Sequence, residues 1–144
     1  MELANDELKA VTVILRASQA MLEAIRKDVA KYGLNPTEFS VLELLYHKGD
    51  QPIQTIGKSV LISSSSTTYV VDKLEQKKYI VRRGCSEDRR VIYATLTNTG
   101  RTFMDEIFPQ HQEVMSKLFE DIDAGDVHKT ILTLKRIGHK AATY

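Results

Sequence analysis

The chain has 144 residues, a formal net charge of +1 at pH 7 and 42% apolar residues, the size of one ordinary domain and apolar enough to pack a core rather than stay disordered. Its one cysteine, Cys85, excludes an internal disulfide and argues against a cysteine-built zinc site. Apolar runs are too short for a membrane span, and the acidic start MELANDELKA lacks the apolar stretch of a signal peptide, so a cytoplasmic protein is expected.

Leu8, Val11, Leu15, Leu22, Ile25 and Val29 recur in steps of three and four, with Ser18 in the one gap, and predict a first helix of about 25 residues. Ile14, Ala17, Met21 and Ala24 form a second stripe beside the first, so this helix has apolar surface for two contacts, one of them with a second subunit. In YGLNP, Gly33 stops the helix, Asn35 can cap the next, Pro36 suits its first position and Glu38 completes a capping box. The second helix is predicted from Pro36 to His47, with Phe39, Leu42, Leu45 and Tyr46 inward. HKGDQP is a turn, and a short helix over Ile53–Ser59 turns Ile53 and Ile56 inward. The stretch SSSSTTYVVDKLEQKK begins like a linker, but Thr67, Val70, Val71 and Leu74 keep helical spacing, which predicts a helix from Ser64 to Lys78 with Ser63 as its N-cap. Two short helices joined by a tight turn make a helix-turn-helix. In YIVRRGCSEDRRVIYATLT, β-formers flank the polar loop Gly84–Arg89, giving a hairpin with strands over 80–84 and 91–96. Thr97 can cap a fifth helix through Phe103, Ile107, Val114, Leu118 and Ile122, which Pro109 should kink or divide. Asp123 can cap a last helix with Val127, Ile131, Leu134, Gly138 and Ala141 on one face. The fold class is therefore mainly α with a small β-hairpin.

Charge is concentrated in the middle. Between Gln51 and Arg101 there are nine Lys/Arg against four Asp/Glu, a surplus of five, which leaves the rest of the chain at −4. A basic centre on an acidic frame points to a polyanion. With Val70, Val71 and Leu74 inward, the fourth helix shows Ser64, Ser65, Thr68, Tyr69 and Asp72 outward; small hydrogen-bonding side chains at this place in a helix-turn-helix meet base edges in the major groove. The DNA-contacting candidates on this helix are Ser63, Ser64, Ser65, Ser66, Thr68, Tyr69 and Lys73. The hairpin adds Arg82, Arg83, Arg89 and Arg90, and arginine both pairs with phosphates and enters a narrow minor groove. Asp88 can hold Arg90 and leave Arg89 free, or the reverse. Lys73, Lys77 and Lys78 are expected on the DNA backbone. A basic hairpin directly after a helix-turn-helix is a winged helix; the rival class is a winged helix that docks another protein.

The residues NPTEFSVLELLYHKG, SSSSTTYVVDKLEQKKYIVRR and EDRRVIYATLTNTG resemble the second helix, recognition helix and wing of the MarR family of bacterial transcription regulators. The family's wing motif, D-x-R followed by L-T, stands here as Asp88, Arg90, Leu96 and Thr97. The resemblance covers essentially the whole chain. It implies one MarR-type domain over 1–144: a winged helix over 34–97, and a dimerisation region from the helices of 1–33 and 98–144. It also implies an obligate homodimer that represses from a pseudo-palindromic double-stranded operator, relieved by a small phenolic or other aromatic molecule or by thiol oxidation. The wording of the second helix and wing is most similar to the quinone- and hydroquinone-responsive, MhqR-like branch. Two departures stand out. Tyr69 occupies a place where relatives often carry a basic residue, and the first helix lacks the cysteine that peroxide-sensing relatives use. Activation in place of repression remains open to such a protein.

By the same resemblance the effector would bind between the dimer helices and the winged helix, with Phe39, Tyr46, His47 and His111 as candidates for stacking and for hydroxyl recognition. Cys85 lies in the wing loop among four arginines, where positive charge favours a reactive thiolate that an electrophile could modify. The four histidines show no HxxH or HExxH spacing, and no glycine-rich phosphate loop, Ser–His–Asp order or paired-carboxylate motif is evident. No metal, cofactor or enzymatic activity is expected.

Overall fold

The computed structural model describes residues 5–60 and 67–144. Helix α1 (Asp6–Ala30) starts where the Asn5 side chain accepts the Leu8 N–H at 2.8 Å. It ends before Gly33, whose φ of 77° is the left-handed conformation that glycine adopts without strain. Helix α2 (Pro36–Lys48) carries the capping box: Asn35 Oδ1 accepts the Glu38 N–H at 2.8 Å, and Glu38 Oε1 accepts the Asn35 N–H at 2.9 Å. Glu38 is buried, and its other oxygen takes the Lys77 ammonium at 3.0 Å. Replacing Glu38 with alanine removes both devices, with an expected loss of about 2 kcal/mol in urea unfolding.

Strand β1 (Gln51–Pro52) leads into α3 (Ile53–Ser59); α4 is described over Thr67–Gln76, and strands β2 (Ile80–Gly84) and β3 (Ile92–Leu96) follow. The sheet is antiparallel in the order β1-β3-β2, with Gln51 opposite Ala94, and Arg82, Arg83 and Gly84 opposite Ala94, Tyr93 and Ile92. The third strand is a departure from the expected two-stranded hairpin. Two residues are too few to show alternation, and Pro52 is tolerated there because β1 is an edge. The predicted start of α4 at Ser64 and its Ser63 cap lie outside the described residues. Its end is earlier than expected, because Lys78 turns left-handed at φ 67° and the Tyr79 N–H bonds back to the Leu74 carbonyl.

Helix α5 (Asn98–Lys117) opens at Thr97, whose Oγ1 accepts the Gly100 N–H at 2.9 Å. It runs through Pro109 without a break in the helix, although proline denies the Asp105 carbonyl its usual donor. The expected continuation to Ile122 does not occur: residues 118–122 form turns with bonds reaching back three residues, as from Leu118 to Met115. Asp123 then caps α6 (Ala124–Ala141).

The chain divides into two compact units, Met1–Pro109 and Gln110–Tyr144. In the first, Leu42 and Leu45 from α2, Ile56 from α3, Val71 and Leu74 from α4, Ala94 from β3 and Met104 from α5 are buried together. Helix α1 adds mainly Val29; further up its stripe Leu8, Val11, Leu15 and Leu22 are all more than 40% exposed. In the second unit, Ile131, Leu134 and Ile137 of α6 are likewise exposed. Contiguous apolar surface of this kind marks an interaction face.

Candidate nucleic-acid interface

Helix α4 is positioned by its inward residues, and Gly57 lets α3 come close: a Cβ at Gly57 would lie 2.8 Å from Thr67 Oγ1. The opposite face of α4 presents Thr68, Tyr69, Asp72 and Lys73, all exposed. Lys73 Nζ lies 5.5 Å from the centre of the Tyr69 ring, a cation–π pair one helical turn apart. Ser63, Ser64, Ser65 and Ser66 lie outside the described residues.

In the wing, β2 and β3 close through the Cys85 N–H to the Val91 carbonyl at 3.0 Å. Asp88 holds Arg90 and not Arg89: its carboxylate accepts the Arg90 N–H at 3.0 Å and the guanidinium at 3.1 and 3.3 Å. The Arg90 guanidinium holds the Asp88 carboxyl below the usual carboxylate range. The Arg90 side chain is 91% exposed despite this pairing, and Arg83 and Arg89 are exposed beside it. On α3, Gln54 Nε2 donates to the Arg90 carbonyl at 3.0 Å and ties the base of the loop to the helix pair.

Two cations expected at DNA point elsewhere. Arg82 and Arg83 are neighbours on a strand, so they face opposite ways. Arg82 shares the face of buried Ile80 and turns toward α4, where Nη1 meets Glu75 Oε1 and Nη2 meets Asp72 Oδ1, both at 2.5 Å. Lys77 turns back to the α1–α2 connection and donates to the Gly33 carbonyl at 2.9 Å as well as to Glu38.

The aromatic candidates divide similarly. Phe39 is 3% exposed and packs in the core. Tyr46 and His47 do come together, with Phe108, which sequence reasoning missed: His47 meets the Phe108 ring edge-on at 4.7 Å. The Tyr46 hydroxyl donates to Asp105 Oδ1 at 2.5 Å, which raises its pKa, and the Arg101 guanidinium lies 5.7 Å from the centre of its ring. Arg101, Asp105 and Phe108 fall at i, i+4 and i+7 on α5, a spacing that carries the signal in the sequence. His47 also borders a depression of about 170 Å³ with Leu44, Glu43 and Val60. His111 is buried and lies in the second unit. Cys85 is half-buried. Among the described residues no group of His, Cys, Asp or Glu could hold a metal ion, and no helix is long and apolar enough to cross a membrane.

A helix-turn-helix followed by an arginine-bearing ribbon is a winged helix, and its exposed hydroxyls and cations are those of a DNA-binding protein. The MarR family model matches residues 34–92, inside the stretch expected to form the winged helix. The chain is 44% identical to the HTH-type transcriptional regulator MhqR of Bacillus subtilis (strain 168), over 95% of this chain and 94% of that protein. It belongs to the MarR family of transcriptional regulators, and is a regulator rather than an enzyme. The same fold is seen in AbsC, a MarR family regulator from Streptomyces coelicolor, with a TM-score of 0.86 at 21% identity over 100% of this chain and 99% of that one. It recurs in Bordetella bronchiseptica BpsR, whose DNA binding is regulated by 6-hydroxynicotinic acid, with a TM-score of 0.77 at 20% identity over 88% and 91% of the two chains.

Proposed function

We propose that this regulator acts in the cytoplasm as a homodimer that represses transcription from a pseudo-palindromic operator and lets go when a phenolic or quinone-type molecule binds. The observation that carries the reading is the shared exposure of Thr68, Tyr69 and Lys73 on α4 and of Arg83, Arg89 and Arg90 on the wing. Side chains of the first set suit base edges, and those of the second suit phosphate and the minor groove. A second copy would cover the exposed stripes of α1 and α6 and would set two reading helices about 34 Å apart, in successive major grooves. The effector class rests on similarity to MhqR, on a fold neighbour regulated by a hydroxylated aromatic acid, and on the pairing of aromatic faces with the Tyr46 hydroxyl. His47 and His111 remain the candidate partners for an effector's oxygens. Release would follow if the effector favoured a spacing of the two heads that no longer fits DNA.

Selection of genomic fragments by the purified protein, repeated with a quinone and with a phenol, tests this directly. The expected result is an inverted-repeat site recovered without effector and lost with it. A reporter driven from that site should rise on induction; a fall would make the protein an activator. Recovery of no specific fragment would turn the reading toward a protein-docking winged helix. Run in parallel, Cys85→Ser should respond as wild type if release is by non-covalent binding, and should lose the quinone response alone if the thiol is the sensor.

A further inference from the structure

We propose that Arg82 is a positioning residue, the strut that sets the angle between the reading helix and the wing, and that it makes no contact with DNA. The inference rests on the DNA-binding reading above. Strand β2 is an edge of the sheet, so half of its backbone N–H groups face away from β3. One of these, the Arg82 N–H, is taken by Glu75 Oε2 at 3.2 Å, while the guanidinium of the same residue bridges Glu75 Oε1 and Asp72 Oδ1. Asp72 and Glu75 lie three residues apart on α4, so two successive places on the helix are tied to one point on the strand. The planar guanidinium suits this double bond, and hydrogen bonding to Asp72 raises its pKa further, so the charge does not lapse.

The surroundings give the strut its purpose. The turn from α4 to β2 is only residues 77–79, and it is pinned where the Thr97 N–H and hydroxyl meet the carbonyls of Tyr79 and Lys78. One edge of the ribbon is held by β1 and by Gln54. Arg82 holds the other edge, on the side of the helix that reads DNA. An acidic residue on that helix opposes the phosphates by itself. Here Asp72 and Glu75 are neutralised internally, and their charge is used to aim the cations beyond them.

The test separates aim from charge. The full-length protein, Asp72→Asn/Glu75→Gln, Arg82→Ala and Arg82→Lys are titrated against the best fragment from genomic selection and against a scrambled duplex of the same composition. The double amide variant loses two negative charges and frees a positive one, so charge alone makes it bind both duplexes more tightly. The strut makes it bind the scrambled duplex more tightly yet the selected fragment about tenfold or more weakly. Arg82→Lys keeps the charge without the double bridge, and is expected to lose fragment affinity as Arg82→Ala does, with melting curves reporting whether each variant is folded. The slope of log affinity against log salt should stay unchanged in Arg82→Ala; a fall of about 0.9 would place Arg82 on a phosphate. Arg82→Lys binding as wild type, or the double variant gaining affinity for both duplexes, overturns the proposal. Wild-type protein that fails to prefer the selected fragment would instead sink the regulator reading itself.

Discussion

Gly100→Ala is expected to destabilise the protein by about 3 kcal/mol or more, at or above the usual range for an overfilled core site. A Cβ at this position would lie 2.1 Å from the Tyr79 carbonyl oxygen and 2.9 Å from Leu96 Cδ1. Leu96 can shift, but the Tyr79 carbonyl cannot easily do so. It accepts the Thr97 N–H at 3.0 Å, and the Tyr79 ring stacks on Phe103 with centres 4.3 Å apart and planes within 8°. Helix propensity alone predicts the opposite sign, since alanine is about 1 kcal/mol better than glycine inside a helix. Urea unfolding decides between them, and a variant as stable as wild type would show that α5 can leave the turn without loss. Because the same turn joins the reading helix to the wing, operator affinity should fall even in whatever fraction of the variant stays folded.

Arg90→Ala should weaken binding to every DNA sequence, by about tenfold or more if the guanidinium occupies a groove or a phosphate site. The slope of log affinity against log salt should drop by about 0.9. The side chain is almost fully exposed, yet its direction is fixed by two guanidinium bonds to Asp88, whose carboxylate also accepts the Arg90 backbone N–H. On binding DNA it would therefore have little rotamer freedom left to lose. The sign of the pH effect follows from Asp88. Its pKa is lowered, so the carboxylate that holds Arg90 is present above the ordinary carboxylate range, and is lost only as pH falls through the depressed value. The pairing is thus intact across neutral pH, and an effect of pH near 7 on operator binding would have to come from another group. Arg90→Ala binding the selected fragment as wild type at about 0.15 M salt would show that the wing does not contribute to binding.

Much of the fold is legible because its punctuation is local. Asn35, Pro36 and Glu38 form a capping box from four adjacent residues, and Thr97 and Asp123 act within three residues of themselves. The family is legible for the same reason, through contiguous runs that fall between Asn35 and Gly100. What the sequence hides is where long side chains go. Lys77 and Arg82 read as surface cations by composition, yet their partners Glu38 and Asp72 stand 39 and 10 residues away. Strand alternation does forbid Arg82 and Arg83 a common face, so that part of the arrangement was already written in the sequence. Strand β1 is hidden for a different reason, since its pairing is written in β3, some forty residues later. Burial too is hard to read from spacing: Phe39 and Tyr46 both sit on the inward side of α2, but only Tyr46 reaches its edge.

Lys78 has a consequence of its own. It is a lysine in the left-handed region, the conformation that glycine takes at Gly33 and Gly49, and a side chain held there typically costs about 1 kcal/mol. Glycine would relax the backbone but carries no ammonium, and any other cation would inherit the same contorted geometry. Under the DNA-binding role proposed above, ease of folding and attraction for a polyanion would be mutually exclusive at this joint, and the lysine there would favour the attraction.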